Sequence, residues 1–340
     1  MKTYFVTGGA GFIGSSLVSE LLKKGNKVVV IDNFCDFYNP EIKEKNISEF
    51  NDNERFKLYR GDIRDKELLN KIFEENSFDA VIHLAAMAGV RPSIENPILY
   101  QDVNCMGTQN ILEVMKKHNL KKLVMASSSS VYGNTKEVPF REDMIVDFAI
   151  SPYAATKKAN EVMTHVYHKL EDYNVIMLRF FTVYGPAGRP DMAYFDFTNR
   201  LLKGESIKIF NYGNCKRDFT YIDDIVEGVM RIMAKAPKRQ NGEDGLPIPP
   251  YKIYNIGNNR PENLLDFVQI LQEELVFSGI LPADYDFEAH KELMPMQPGD
   301  VSVTYADITP LRLDFDFKPS TSLRDGLRAF AVWYKEFYLE

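Results

Sequence analysis

Two patterns of hydrophobic and polar residues take turns along the first half of the chain, one typical of buried strands and the other of helices. Short apolar runs rich in β-branched residues predict buried strands, and stretches with helical spacing separate them. The predicted strands are Thr3–Thr7, Lys27–Ile31, Phe56–Tyr59, Ala80–Leu84, Lys122–Ala126 and Val175–Leu178. Strands that alternate with helices form right-handed βαβ units, so we expect an α/β fold with a doubly wound parallel sheet of about six strands and helices on both faces.

The pattern changes after Pro186. A glycine- and proline-containing loop follows, then short mixed elements and a polar stretch at 235–250 that reads as a surface loop. We therefore predict a nucleotide-binding domain at 1–182, to which segments near 217–235 and 251–257 return. Residues 183–340 are predicted to form mainly a smaller, interwoven α/β lobe that binds the substrate, and the last helix is predicted to start at Ser322.

Composition narrows the classes of function. The 340 residues are 45% hydrophobic and carry a net charge of −7, with no basic block of the kind that binds nucleic acid or an anionic membrane. No apolar run approaches the ~20 residues that span a bilayer. The three cysteines form no CxxC pair, which favours a reducing compartment, and we expect a cytoplasmic protein. His165 and His168 are three residues apart but lack a carboxylate partner, so we expect no metal site.

A glycine cluster follows the first predicted strand. Gly9, Gly11 and Gly14 form G-x-G-x-x-G, and Gly8 extends it to G-x-x-G-x-x-G. Such glycines allow a tight turn and bring backbone N–H groups close to a pyrophosphate at a helix N-terminus. Asp32 ends the second strand, where a carboxylate accepts hydrogen bonds from ribose hydroxyls and disfavours a 2′-phosphate. The pattern predicts a Rossmann-type site for NAD rather than NADP; the alternative is a glycine-rich turn that binds nothing.

A second group of polar residues predicts a catalytic site. Ser151 and Pro152 start a helix that places Tyr153 and Lys157 on one face, four residues apart. A fixed ammonium and a positive nicotinamide ring both favour the phenolate, which would make Tyr153 a usable base. The serine-rich stretch 125–133 ends the fifth strand, where ligands bind in open α/β sheets. The alternative is a polar turn.

These motifs together resemble the extended short-chain dehydrogenase/reductase family, and within it the nucleotide-sugar epimerases. The resemblance covers nearly the whole chain. It rests on the glycine motif, HLAA at 83–86, SSSSVYG at 127–133, the Tyr153/Lys157 pair and RDFTYIDD at 217–224. Longer blocks are similar to the UDP-glucuronate 4-epimerases: DNFCDFYNP, AGVRPSIENP, RFFTVYGPAGRPDM, NYGNCKRDFTYIDDI and MQPGDVSVTYAD.

The resemblance implies an NAD-dependent enzyme that interconverts UDP-glucuronate and UDP-galacturonate through a transient 4-keto sugar, and it implies a homodimer. Ser128 would be the catalytic hydroxyl, Tyr153 the base, and Lys157 the residue that tunes the base and binds the nicotinamide ribose. The cofactor-binding residues would be Gly8, Gly11, Phe12, Ile13, Gly14, Asp32, Asn33, Asp62, Ile63, Leu84, Ala85, Ala86, Asn104, Tyr153 and Lys157.

The same resemblance implies a substrate site with a carboxylate clamp. Arg189 would bind the uronate carboxylate in a bidentate manner, and Thr182 would add a hydroxyl where galactose-type epimerases usually carry Asn. The remaining substrate-binding residues would be Arg91, Ser93, Ser129, Ser130, Lys208, Phe210, Arg217, Gln297 and Asp300. Arg217 would meet the diphosphate, Asp300 the uridine ribose and Phe210 the uracil.

Two other functions remain open at this level. The first is a UDP-glucose/UDP-galactose 4-epimerase with the same machinery, and the second is a non-catalytic NAD-binding regulator. Ser129 and Ser130 stand where related dehydratases and decarboxylases carry acidic side chains, which counts against those two reactions.

Overall fold

The structure is a computed structural model that describes residues 1–234, 240–241, 247–248, 250–297 and 300–340. The strands are β1 (Thr3–Thr7), β2 (Lys27–Asp32), β3 (Phe56–Arg60), β4 (Ala80–His83), β5 (Lys122–Ser128), β6 (Asn174–Phe180), β7 (Thr182–Tyr184), β8 (Ile207–Ile209), β9 (Lys216–Tyr221), β10 (Gln240–Asn241), β11 (Pro247–Ile248), β12 (Tyr251–Ile256), β13 (Pro261–Asn263) and β14 (Lys291–Leu293). The polar loop predicted at 235–250 lies mostly outside the described residues, as does the last residue of the returning segment 217–235.

The α-helices are α1 (Phe12–Lys23), α2 (Pro40–Ser48), α3 (Lys66–Glu75), α4 (Val90–Glu95), α5 (Pro97–Tyr100), α6 (Gly107–Lys117), α7 (Pro152–Glu171), α8 (Ala193–Leu202), α9 (Ile222–Ala234), α10 (Leu264–Phe277), α11 (Thr309–Phe315) and α12 (Leu323–Tyr338). Within the described ranges, none of the helices has the length and hydropathy needed to cross a membrane.

The main sheet has seven parallel strands in the order β12-β6-β5-β4-β1-β2-β3. The apolar runs predicted six of these strands, and β12, from the returning segment 251–257, pairs with β6 as the seventh. Helices pack on both faces of this sheet, and each face has its own cluster of buried hydrophobic residues. The predicted doubly wound α/β fold is therefore confirmed.

Successive side chains of a strand point to opposite faces of the sheet, which explains why there are two clusters. In β1, Val6 packs in the cluster that contains α1 and α9 residues, whereas Phe5 packs in the cluster that contains α3 and α6 residues. Because both faces are covered, the strands are apolar at nearly every position, which is why they read as continuous hydrophobic runs.

The order of strands reverses between β1 and β4, so the chain leaves these two neighbours in opposite directions. Ligands of open α/β sheets bind in the crevice beyond the carboxyl ends of the strands at such a point. The glycine cluster follows β1 and the predicted cofactor residues 84–86 follow β4, so both lie at this crevice.

The C-terminal elements form a second core. Phe195, Phe267 and Phe330 of α8, α10 and α12 pack together beside the β13-β9-β7 sheet. Ser322 caps α12 by accepting a 3.1 Å hydrogen bond from Asp325 N, as its position in the sequence predicted. Helix α9 packs instead on the core of the main sheet. The division into 1–182 and 183–340 stays a prediction.

Candidate active site

The glycine cluster forms the turn between β1 and α1. Gly8 has a φ of +71°, and a Cβ at this position would lie 2.8 Å from Ala85 N. A Cβ on Gly14 would lie 2.1 Å from the carbonyl oxygen of Gly8, so both positions require glycine. Gly11, at the N-cap of α1, has no side-chain cap. The first amides of α1 are therefore available to an anion at the helix N-terminus.

Asp32 lies at the end of β2 with its carboxylate buried in the cavity wall. Its Oδ1 accepts hydrogen bonds from Phe34 N and from Lys43 Nζ, both at 3.0 Å, and its Oδ2 accepts one from Ala10 N at 3.2 Å. A carboxylate has about four acceptor sites, so one site on Oδ2 remains for a hydroxyl. Lys43 is a partner that the sequence analysis missed, because only the fold of the 33–39 loop brings it back to Asp32.

Asp62 and Ile63 follow β3, the neighbour of β2 in the sheet, and line the same cavity. Asn33 Nδ2 donates to Asp62 at 2.8 Å, and Arg64 donates to it through Nε and Nη2, each at 2.9 Å. Burial opposes ionisation here, but the hydrogen bonds from Arg64 and Asn33 lower the pKa of Asp62 to about 2. Asp62 therefore stays a carboxylate that can accept hydrogen bonds.

The segment Leu84–Ala86 is held against β1 by Thr7. Leu84 N and Ala85 N donate to Thr7 Oγ1 at 3.2 and 3.1 Å, and the ring of His83 contacts the same oxygen at 2.6 Å. Burial, together with the charge of Lys157, lowers the pKa of His83 to about 3. His83 is thus a neutral residue that supports the crevice.

Asn104 does not line the cavity but fixes its wall. Its side chain accepts from Met87 N at 2.8 Å and donates to Met87 O at 3.0 Å. It also donates to Thr156 Oγ1 of α7 at 3.1 Å. Asn104 therefore connects the loop after β4 to the helix that carries Tyr153 and Lys157.

Ser128, Tyr153 and Lys157 meet where β5 and α7 approach each other. Ser151 caps α7 by accepting from Ala154 N at 3.1 Å, which places Tyr153 in the first turn. Lys157 Nζ donates to Ala126 O at 2.9 Å and lies 5.9 Å from the centroid of the Tyr153 ring. Ser128 lies in the cavity wall with Tyr153, and its Oγ donates to Ser130 Oγ at 3.2 Å and accepts from Ser130 N at 3.1 Å.

Tyr153 and Lys157 both have shifted pKa values. Burial raises the pKa of Tyr153, and the opposing influences are the nearby Ser128 hydroxyl and the positive charge of Arg189. Burial lowers the pKa of Lys157 to about 8. Lys157 directs its ammonium to the carbonyl oxygen of Ala126 rather than to the phenol, and the charge of a bound nicotinamide ring would favour the phenolate in addition.

Arg189 lies in the loop after β7, in the cavity wall with Thr182. Its Nε and Nη2 donate to the two oxygens of Asp191 at 2.9 and 2.8 Å, and its guanidinium lies 5.8 Å from the ring of Phe37. Asp191 thus occupies the Nε–Nη2 edge of the guanidinium, while the opposite edge carries Nη1. The sequence analysis missed both Asp191 and Phe37.

Three predicted substrate residues contact one another, and one of them, Asp300, lines the cavity. Arg91 donates to Asp300 Oδ2 at 3.0 Å and lies 4.8 Å from the centroid of the Phe210 ring. The family resemblance implied that all three bind the substrate, Asp300 at the uridine ribose and Phe210 at the uracil. The structure brings them together across 209 residues of sequence.

A cavity of about 540 Å³ connects these groups. The predicted residues that line it are Gly8, Gly11, Phe12, Ile13, Gly14, Asp32, Asn33, Asp62, Ile63, Leu84, Ala85, Ala86, Ser128, Ser129, Ser130, Tyr153, Lys157, Thr182, Arg189 and Asp300. Cys35, Phe37, Tyr38, Lys43 and Met192 also line it, although none of them was predicted as a site residue.

Six predicted substrate residues lie outside this lining: Arg91, Ser93, Lys208, Phe210, Arg217 and Gln297. Ser93 departs from its expected role because it is fully buried and its hydroxyl donates to Val90 O at 2.5 Å. Arg217 Nη1 donates to the carbonyl oxygens of Lys216 and Ser302 at 3.0 and 3.3 Å, so it is directed to the backbone.

Comparison with known proteins gives a consistent result. The sequence model of the NAD-dependent epimerase/dehydratase family matches residues 4–257. The chain is 44% identical to protein CapI of Staphylococcus aureus over 98% of both chains. It is 43% identical to UDP-glucuronate 4-epimerase 4 of Arabidopsis thaliana, over 99% of this chain and 76% of the relative. The crystal structure of a Bacillus cereus UDP-glucuronic acid 4-epimerase with UDP-glucuronic acid and NAD is similar with a TM-score of 0.87, 35% identity and coverage of 99% and 100%.

Proposed function

This chain belongs to the NAD-dependent epimerase/dehydratase family and is a nucleotide-sugar 4-epimerase, and we propose that it interconverts UDP-glucuronate and UDP-galacturonate. The choice of substrate rests on the position of Arg189. This residue lies in the cavity wall close enough for its charge to act on the Tyr153 phenol. A cation beside the reacting centre suits a sugar that carries a carboxylate.

The residues of the crevice fit NAD. A Cβ on Gly8 or Gly14 would clash with the backbone of Ala85 or of Gly8, so the glycines allow the tight turn that leaves the uncapped N-terminus of α1 at the crevice for a pyrophosphate. Asp32 retains an acceptor site for a ribose hydroxyl, and Asp62 is an ionised carboxylate in the wall of the same cavity that could accept a hydrogen bond from the adenine. When bound, NAD supplies a reversible hydride acceptor for C4 of the sugar.

Tyr153 is the residue that we propose removes the proton from the 4-hydroxyl group of the sugar. Its phenol lies in the cavity wall, and Ser128 can hold the same oxygen through its hydroxyl. Return of the proton from Tyr153 to the other epimer completes the cycle, so the chain needs no further acid or base. Ser129 and Ser130 line the cavity beside Ser128, and neither can serve as the carboxylic acid that a dehydration or decarboxylation would use.

A uronate oxidised at C4 is a β-keto acid, which loses CO2 when its carboxylate bond aligns with the carbonyl π system. The site must therefore hold the carboxylate in a fixed orientation. Asp191 occupies one edge of the Arg189 guanidinium, so the Nη1 side is the edge that we assign to the substrate carboxylate. Thr182, at the start of β7, adds a hydroxyl donor on the same wall.

The substrate proposal is tested by a panel of UDP-glucuronate, UDP-galacturonate, UDP-glucose and UDP-galactose. We expect the two uronates to interconvert and the neutral sugars to react at least ~100-fold more slowly, because they leave the Arg189 edge unpaired. Anion-exchange chromatography of the products measures the rates. Preferential conversion of the neutral pair would instead establish a UDP-glucose/UDP-galactose epimerase.

Arg189→Ala, assayed with the same four UDP-sugars, tests whether Arg189 binds the carboxylate and leaves Ser128, Tyr153 and Lys157 unaltered. The variant should raise KM for the uronates roughly 10- to 100-fold, the effect of losing hydrogen bonds to a charged group, and should release some UDP-pentose. Unaltered KM without any pentose would remove Arg189 from the clamp.

We also propose that the protein is a homodimer through α7. This helix exposes Val162, Met163, Val166 and Leu170, whose relative exposures are 55, 40, 41 and 75%. They follow one another at roughly helical spacing, which gives an apolar stripe that a second copy can cover. Light scattering should give a mass of twice 39.1 kDa, and Val166→Asp should reduce it to the monomer mass. A monomeric wild-type protein would refute the proposal.

A further inference from the structure

The end of β5 that carries Ser128 pairs with a neighbouring strand on one side only. Strand β4 pairs with β5 from Val81–Leu123 to His83–Met125 and no further, whereas β6 stays paired as far as Ser128–Phe180. Residues 126–128 therefore have a strand on one side and the cavity on the other. The position of Ser128 depends on β6 and on side-chain contacts.

Those contacts come from a buried ionic cluster directly before Ser128. Ser127 is the register partner of Arg179 on β6, and both bind Glu161 of α7. Arg179 Nε and Nη2 donate to the Glu161 carboxylate, each at 2.8 Å, and Ser127 Oγ donates to Glu161 Oε1 at 2.7 Å. The side chains of Arg179 and Glu161 are each 2% exposed.

The cluster also connects to the catalytic helix. Glu161 lies one turn after Lys157 on α7, and Lys157 donates to Ala126 O, the residue before Ser127. The contacts of Lys157 with Ala126 and of Glu161 with Ser127 thus hold this end of β5, which has no β4 partner, against α7. Because Tyr153 starts that helix, they set the separation of Ser128 from Tyr153.

We propose that Ser127, Glu161 and Arg179 are positioning residues, which hold the Ser128 hydroxyl at the Tyr153 phenol. None of the three needs to touch the sugar for this role. A charge-assisted hydrogen bond is short and directional, so it suits the fixing of a strand end. For its kinetic readout the inference rests on the proposed function.

Ser127→Ala tests the inference because it removes one hydroxyl and leaves the buried ion pair intact. We expect kcat to fall roughly 10- to 100-fold, the cost of displacing a reacting group by a fraction of an ångström to an ångström, with KM and bound NAD unchanged. Ser127→Thr, which retains the hydroxyl, should restore most of kcat. Amide exchange of residues 126–130 should accelerate roughly tenfold in Ser127→Ala, and this readout needs no substrate.

Thr198→Val is the matched control. Thr198 is fully buried in α8 and its hydroxyl donates to Tyr194 O at 2.8 Å, so this variant also loses one buried hydrogen bond. It should lower Tm about as much as Ser127→Ala without changing kcat. A kcat for Ser127→Ala within about twofold of wild type, or unchanged exchange at 126–130, would show that the cluster only stabilises the fold. An inactive wild type would count against the proposed function, and the exchange comparison would still decide the positioning role.

Discussion

Tyr153→Phe is expected to lower kcat about 1,000-fold, within the 10²- to 10⁴-fold range of general acid–base catalysis, while the protein still binds NAD. The phenol lies in the cavity wall with Ser128, and phenylalanine keeps the ring but loses the exchangeable proton. Rates of epimerisation under substrate saturation, together with an absorbance spectrum for bound dinucleotide, measure both parts.

Tyr173→Phe provides the control for this substitution. Tyr173 is fully buried and its hydroxyl donates to Leu112 O at 2.8 Å, away from the cavity lining. Its loss should reduce stability but leave kcat unchanged. If Tyr153→Phe retained more than about a tenth of the wild-type rate, a different group would have to remove the proton.

Arg179→Met is expected to lower the free energy of unfolding by about 3 to 5 kcal/mol, because it leaves the Glu161 carboxylate buried without its partner. Both side chains are nearly inaccessible, and Arg179 also donates to Tyr132 OH at 3.0 Å. Urea denaturation followed by circular dichroism measures the change. The double variant Arg179→Met/Glu161→Met should recover most of the loss, since apolar residues of similar volume can replace a buried ion pair.

Arg200→Met is the matched surface control. It breaks the pair between Arg200 and Asp196 of α8, whose side chains are 38 and 42% exposed. The expected loss lies within about 1 kcal/mol, because solvent screens exposed pairs. Equal losses in Arg179→Met and Arg200→Met would mean that the buried pair has no special role in stability.

Much of the candidate site could be predicted because its signals are local. The glycines, the capped start of α7 and the four-residue spacing of Tyr153 and Lys157 each depend on a few neighbouring residues and on the geometry of one turn or helix. The hydrophobic runs similarly predicted six of the seven strands of the main sheet. The seventh, β12, lies in the segment 251–257 that was predicted to return to this domain, but only the tertiary structure shows that it pairs with β6, which lies far away in sequence.

The sequence by itself determined the fold class, the crevice at the end of β1 and the identities of the groups that meet there. Only the tertiary structure decided how these groups are paired and charged: Lys43 binds Asp32, Asp191 takes one edge of Arg189, and Arg91 lies between Asp300 and Phe210. The reason is physical: periodicity and spacing specify local geometry, whereas burial and ion pairing depend on which distant segments surround a side chain.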